Sequence, residues 1–134
     1  MIWDERKSSL RVKGFDHIVI TTGNLKACLH FYVDILGMEL DERNNRCELR
    51  FGNQKINIHR KAAEFLPAAR NVTYGSQDIC LIIEGSIEEA MEELRRKRVE
   101  IELGIVDRTG ACGPISSIYL RDPDGNLVEI STYK

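Results

Sequence analysis

The sequence lacks any apolar run long enough to cross a membrane. A membrane-spanning helix needs about 20 consecutive apolar residues, and charged or polar residues interrupt every apolar stretch of this 134-residue chain. The first ten residues, M-I-W-D-E-R-K-S-S-L, also lack the apolar core of a signal peptide. We therefore expect a cytoplasmic protein that has no membrane partner.

Paired cysteines and a strong net charge are also missing. The four cysteines, at positions 28, 47, 80 and 112, stand singly, so the sequence has no zinc-type or redox-type cysteine pair. The formal net charge is only -2, which gives no electrostatic reason to bind nucleic acid. The one basic cluster, R-R-K-R at 95–98, closes a predicted helix, where cations oppose the negative end of the helix dipole.

What the sequence does contain is one pattern of strands and a helix, present twice. Each copy opens with a strand, His17–Thr22 and then Asp78–Glu84, and the two openings are 61 residues apart. A helix follows each, capped by Asn24 in the first copy and by Ser86 in the second. Three strands then complete each copy: Met38–Arg43, Cys47–Phe51 and Lys55–Arg60 in the first, and Glu100–Val106, Pro114–Arg121 and Asn126–Tyr133 in the second.

This order predicts an α+β fold of two tandem βαβββ modules that form a cupped, partly open mixed sheet. We assign residues 1–13 to an N-terminal extension, 14–60 to the first module, 61–75 to a linker and 76–134 to the second module. One helix per four strands covers only one sheet face, so the other face stays open. The open strand edges favour a homodimer.

The last predicted hairpin carries the first candidate site residue. The turn Asp122-Pro123-Asp124-Gly125 has the proline and glycine positions of a type I turn between antiparallel strands. In the returning strand Glu129 points away from the apolar side chains of Val128 and Ile130. A carboxylate in this position is either a site residue on the uncovered face or an ordinary solvated side chain.

Five polar residues on the opening and closing strands share that uncovered face: His17, Asn57, His59, Asp78 and Glu129. Neutral imidazole together with carboxylate suits a divalent ion such as Zn, Ni, Fe, Co or Mn. Taken one at a time, such a histidine is more often an ordinary core or surface residue. Their occurrence at equivalent places in the two copies favours a shared metal site.

Several segments resemble the vicinal oxygen chelate superfamily of glyoxalases, bleomycin-resistance proteins and extradiol dioxygenases, and within it the group of glyoxalase domain-containing protein 5. The similar segments are F-D-H-I-V-I-T-T at 15–22, F-Y-V-D-I-L-G-M at 31–38, F-G-N-Q-K-I-N-I-H at 51–59, D-I-C-L-I at 78–82, R-T-G-A-C-G-P-I at 108–115 and S-I-Y-L-R-D-P-D-G-N-L-V-E-I-S at 117–131. The resemblance implies paired βαβββ modules and an open site in which a metal binds neighbouring oxygens of a substrate.

By position, His17 and Glu129 match metal ligands of that family. Asn57 stands where glyoxalase I-like members have Glu, and Asp78 stands where many members have His, so His59 is the candidate for the remaining ligand. The resemblance also makes Asp78 or Glu129 a candidate for moving a proton.

Three residues are candidates for substrate binding: Asn57, Tyr119 and Arg121. The last two, on the strand before the hairpin, would orient an anionic substrate, or else they are surface residues. The glycine-rich segment 108–114 is either a lid over the site or a plain connector between strands.

The leading interpretation is a metal-dependent enzyme of the glyoxalase or dioxygenase kind, similar to lactoylglutathione lyase, that acts on a small oxygenated molecule. The alternative is a metal-free protein that binds or sequesters a small molecule, as bleomycin-resistance members do. A concavity for that purpose is expected to be rich in aromatics, which make up only 7% of this sequence. A third interpretation is a purely structural dimerisation unit.

Overall fold

The computed structural model describes residues 8–134, which form two four-stranded mixed sheets of the same design. Sheet 1 contains β1 (His17–Thr21), β2 (Glu39–Arg43), β3 (Arg46–Phe51) and β4 (Gln54–His59), and sheet 2 contains β5 (Asp78–Ile82), β6 (Leu103–Gly110), β7 (Gly113–Arg121) and β8 (Leu127–Tyr133). The strand orders are β1-β4-β3-β2 and β5-β8-β7-β6. In both, the first strand runs parallel to the last and the other neighbours are antiparallel. The predicted α+β fold with two βαβββ units is confirmed.

One helical segment follows the first strand of each sheet. Helix α1 (Leu25–Leu29) begins after Asn24, whose side chain accepts a hydrogen bond from the Ala27 N–H at 3.1 Å. It continues directly as a wider, π-helical stretch (His30–Ile35). The helix predicted through Leu36 is therefore in the expected place, but its second half is wound differently.

Helix α2 (Ile87–Arg96) begins after Ser86, whose hydroxyl accepts a hydrogen bond from the Glu89 N–H at 3.1 Å, as the sequence predicts. None of the helices within residues 8–134 is long and apolar enough to cross a membrane.

The covered faces of the two sheets share one apolar core. Ile20, Ile56, Val128 and Ile130 are at most 2% exposed and point toward the helices, as their alternation with polar neighbours predicts. Full burial of each such side chain contributes about 1.5–3 kcal/mol to folding. The core packs against the covered faces of both sheets. The open faces can therefore present polar groups.

The segment Arg108–Pro114 is a connector, which excludes the lid. Strand β6 continues through Arg108 to Gly110 and β7 begins at Gly113, so only Ala111 and Cys112 form the turn. Paired strands hold both ends of so short a turn, which leaves no loop to close over a site.

The predicted turn between β7 and β8 is built around the Asp122 carboxylate. The Gly125 N–H donates to the Asp122 carbonyl at 3.0 Å, closing the turn. The Asp122 side chain also accepts hydrogen bonds from the Asn126 backbone N–H at 2.9 Å and side-chain amide at 2.7 Å. These bonds satisfy a carboxylate that is only 4% exposed.

The same turn connects the second βαβββ unit to the first. The Tyr32 hydroxyl donates to Asp122 at 2.7 Å, and the Thr22 hydroxyl donates to Asp124 at 2.5 Å. The Gly23 backbone N–H donates to the other Asp124 oxygen at 2.9 Å. The Asp-Pro-Asp-Gly sequence therefore has a second role beyond turning the chain, because its two carboxylates bind the β1–α1 connection and the helix after it.

Candidate functional site

His17 lies at the start of β1 and faces a small cavity between the two sheets. Its Nδ1 lies 2.7 Å from an Asp16 carboxylate oxygen, and its side chain is 44% exposed. The cavity, of about 290 Å³, is also lined by Asp78 and Cys80 on β5. Of the residues that the sequence selected, the structure thus brings His17 and Asp78 to one place.

Asn57 and His59 lie on β4, on the same face of sheet 1 as His17. The Asn57 Oδ1 atom is buried and has no hydrogen-bond partner among the described residues. The His59 ring packs edge-on against Phe65, with the ring centres 5.3 Å apart, and its burial lowers the pKa of His59. Phe65 belongs to the predicted linker, residues 61–75. The linker therefore also covers the His59 end of this face.

Glu129 lies on the open face of sheet 2, at the end of a chain of hydrogen-bonding side chains. The Ser117 hydroxyl donates to Glu129 Oε2 at 2.6 Å, and Ser131 Oγ lies 2.6 Å from Ser117 Oγ. Cys80 Sγ lies 3.3 Å from Ser131 Oγ, and burial raises the pKa of the Cys80 thiol. Both serines are fully buried. The network orients the carboxylate and occupies one of its oxygens.

Tyr119 lies beside Glu129, and Arg121 is occupied elsewhere. The register of β7 and β8 places Tyr119 directly opposite Glu129, and the Tyr119 hydroxyl accepts a hydrogen bond from Arg108 Nε at 2.9 Å. Arg121 binds both oxygens of Glu102, at 2.9 and 3.0 Å. Because that pair uses the guanidinium donors, Arg121 fits the surface role better than the substrate-binding role.

The proposed metal ligands do not come together within one chain. In the part of the chain that the structure describes, no group of three or more His, Cys, Asp or Glu side chains is placed to hold a metal ion. His17, His59 and Glu129 instead contact Asp16, Phe65 and Ser117, respectively. Two imidazoles and a carboxylate are suitable ligands for a divalent metal. In a single chain, however, these three side chains are not placed to bind one ion.

The groups that surround Glu129 are not among the site residues predicted from the sequence. Ser117, Ser131, Cys80 and Arg108 all lie on the open face of sheet 2, near the carboxylate or near Tyr119. The two-residue alternation that placed Glu129 on this face also places Ser117 and Ser131 there. That signal was present in the sequence, although it does not predict which hydroxyl bonds to the carboxylate.

Known proteins are similar to this chain over nearly its whole length. A family model described as the glyoxalase/bleomycin resistance protein/dioxygenase superfamily matches residues 14–130. The glyoxalase domain-containing protein RDO1 of Mycosarcoma maydis is 44% identical over 134 residues, which cover 98% of this chain and 76% of that protein. The virulence protein STM3117 of Salmonella typhimurium is 44% identical over 119 residues, 88% of this chain and 83% of the relative.

Solved structures agree with the architecture. The crystal structure of STM3117 has a TM-score of 0.90 at 41% identity and covers 93% of this chain and 100% of its own. The integron cassette protein VCH_CASS1 from the mobile metagenome of V. cholerae has a TM-score of 0.89 at 43% identity, with coverages of 93% and 98%.

More distant structures share the fold alone. They include a lactoylglutathione lyase from Agrobacterium tumefaciens, at 20% identity and a TM-score of 0.70, and the antibiotic-binding protein TnmS3 from Streptomyces, at 13% and 0.71. The close relatives carry other names than glyoxalase domain-containing protein 5, so placement in that narrower group stays a prediction. The family model and the two curated relatives show that the chain belongs to the glyoxalase/bleomycin resistance protein/dioxygenase superfamily.

Proposed function

We propose that the protein is an enzyme of the glyoxalase or dioxygenase kind that acts on a small oxygenated molecule at the open face of sheet 2. The observation that supports this most is the hydrogen bond of 2.6 Å from Ser117 to Glu129 Oε2. It holds a partly buried carboxylate in one orientation without using its second oxygen. A carboxylate held in this way suits proton transfer to or from a substrate.

The neighbours of Glu129 suit the charge that such a reaction develops. When Glu129 takes a proton from a carbon next to a carbonyl group, negative charge moves to the carbonyl oxygen. Tyr119 lies opposite Glu129, and the Arg108 guanidinium carbon lies 5.5 Å from the centre of the Tyr119 ring. A phenol hydroxyl and a guanidinium near that oxygen stabilise it. This chemistry fits an isomerising lyase of the lactoylglutathione lyase kind, and Asp78 is the second candidate for the proton-transfer role.

A divalent metal ion is a separate proposal. It requires His17, His59 and Glu129 to meet, and the described residues of one chain do not bring them together. A homodimer in which sheet 1 of one copy faces sheet 2 of another would supply both halves of the site. When bound, the ion would polarise a substrate oxygen. The steps assigned to Glu129, Tyr119 and Arg108 do not depend on it.

The enzyme proposal is tested by measuring the turnover of candidate substrates. Purified protein is assayed with hemithioacetals of 2-oxoaldehydes and with small diols, with and without added Zn, Ni, Fe, Co or Mn. We expect turnover by the wild-type protein and a loss of at least a hundredfold in Glu129→Gln. The matched control, Glu102→Gln, removes a surface carboxylate and is expected to retain activity. Equal rates in the two variants would contradict the role of Glu129.

The metal proposal is tested by measuring the melting temperature with and without added metal ions. A metal that binds the native state must raise the melting temperature, so we expect an increase on adding the ion that is lost in His17→Ala. Metal analysis of protein purified without chelator provides the second measurement. No bound metal together with an unchanged melting temperature for every ion would reject the metal proposal and leave the enzyme proposal standing.

The alternative is a metal-free protein that binds a small molecule, and it is supported by the contacts of His17, His59 and Glu129, which are with Asp16, Phe65 and Ser117 rather than with one another. It predicts that a ligand raises the melting temperature without being converted, and that Glu129→Gln leaves its affinity unchanged. A thermal-shift screen that includes antibiotics distinguishes the two functions. The cytoplasmic location also stays a prediction.

A further inference from the structure

In the described part of the chain, the segment before β1 exposes three apolar side chains. Leu10 is 79% exposed, Val12 is 94% exposed and Phe15 is 80% exposed. We call residues 8–13 the arm. In an extended arm Leu10 and Val12 point to one side, while Arg11 and Lys13 point to the other. An apolar and basic strand of this kind needs a partner that offers apolar surface and negative charge.

A cleft beside β5 has those properties. It has a volume of about 1040 Å³, and many of its lining residues are apolar, among them Phe51, Leu81 and Ile82. Ile82 is 53% exposed. Its charged lining residues are the carboxylates of Glu39, Glu84, Glu89 and Glu93 and the single guanidinium of Arg50. The cleft therefore combines apolar surface with an excess of carboxylates, which is complementary to the arm.

Strand β5 also offers backbone hydrogen bonds on its outer edge. It is the edge strand of sheet 2, and among residues 8–134 it pairs with β8 alone, while the start of β1 faces it across the small cavity between the two sheets. Its five residues are one fewer than the six of the arm, and residues 80–82 of β5 line the cleft. An extended segment added to a free edge gains main-chain hydrogen bonds, while side-chain contacts determine its register.

We propose that the arm of one chain docks into the cleft of a second copy and adds a strand to its β5. Leu10 and Val12 then meet the apolar surface, and Arg11 and Lys13 meet the carboxylates around the cleft. The occupant is a second copy because the arm of the same chain lies outside the cleft, with Leu10 and Val12 largely exposed. This contact is independent of the proposed reaction.

Cross-linking of the full-length protein tests the proposal. The starting variant contains Cys47→Ser and Cys112→Ser. Its remaining cysteines are Cys80, which is exposed on β5, and Cys28, which is fully buried. Val12→Cys is then introduced and a short bismaleimide is added. We expect a covalent dimer that disappears when Cys80→Ser is added.

The matched control for cross-linking introduces Lys61→Cys, at an exposed site on the linker, in place of Val12→Cys. We expect it to form at least tenfold less covalent dimer. A dimer yield equal to that control would overturn the proposal. A Val12→Cys product with the mass of one cross-linked chain would also overturn it, because the arm would then occupy the cleft of its own chain.

The dimer dissociation constant gives a second measurement. We expect Val12→Asp, and separately Lys13→Glu, to raise it at least about tenfold, equivalent to 1.4 kcal/mol. The Lys13→Glu effect should shrink at high salt because screening weakens the charge contact. The control is Lys61→Glu, which makes the same charge change away from the arm. Dissociation constants equal to that control would overturn the proposal, whatever the protein catalyses.

Discussion

The Tyr32 hydroxyl and the Asp122 carboxylate form a hydrogen bond of 2.7 Å that joins the first βαβββ unit to the second. Tyr32 is fully buried and Asp122 is 4% exposed. Burial, followed by the nearby Asp122 charge, raises the pKa of Tyr32, so its hydroxyl stays protonated and donates at neutral pH. The bond links residues 90 positions apart in the sequence.

Tyr32→Phe should destabilise the protein by about 1.5–3 kcal/mol, since it removes a hydrogen bond to a buried charged group. The measurement is the free energy of unfolding in urea. The control is Tyr74→Phe, because Tyr74 is 54% exposed and its change should lie within about 0.5 kcal/mol of zero. Equal effects of the two variants would show that the bond to Asp122 does not stabilise the fold.

Gly75→Ala should lower the free energy of unfolding much more than Gly85→Ala does. Both glycines have a left-handed backbone, with φ of +74° and +85°, so alanine costs about 1–2 kcal/mol at either position. At Gly75 the added Cβ would also overlap the Asp124 carbonyl oxygen, whereas at Gly85 it would meet nothing within 4 Å.

The overlap should add about 1–3 kcal/mol to the cost of Gly75→Ala. Urea unfolding of both variants measures the difference. A smaller loss of stability in Gly75→Ala than in Gly85→Ala would show that the turn moves away from the added methyl group at no cost.

Lys55→Gln should change how stability depends on pH. The hydrogen bond from Lys55 lowers the pKa of Glu48, and their side chains are only 22% and 17% exposed. Because the folded-state pKa lies below the unfolded value, the pair stabilises the protein fully above the unfolded pKa. That contribution is lost as the pH falls through the folded-state pKa.

The stability difference between wild type and Lys55→Gln should therefore shrink as the pH falls below about 4.3, the ordinary pKa of glutamate. Urea unfolding at a series of pH values measures it, with exposed Lys61→Gln as the control. A difference that stays constant from neutral to acid pH would contradict the role of Glu48.

Ser117→Ala should cost about 1.5–3 kcal/mol because it removes a fully buried hydroxyl that donates to the Glu129 carboxylate. The control is Ser116→Ala, the same change on the opposite face of β7, which should cost less. Urea unfolding of the two variants tests this expectation. If Ser116→Ala proves the more harmful, the serine network does not hold Glu129 in the way described.

Local sequence patterns are sufficient to predict the repeated unit and the two faces of each sheet. Alternation with a period of two residues places Val128 and Ile130 in the core and Glu129 opposite them. The capping side chains of Asn24 and Ser86 start the helices at the predicted residues. These features follow from local geometry, so neighbouring residues are enough to predict them.

Which side chains contact one another on the open faces depends on the fold of the whole chain. It joined Glu129 to Ser117, covered His59 with Phe65 and occupied Arg121 with Glu102. Alternation fixes the direction in which a side chain leaves its strand, but its neighbours depend on strand order and register. Those are determined by packing between residues far apart in the chain, which no local pattern specifies.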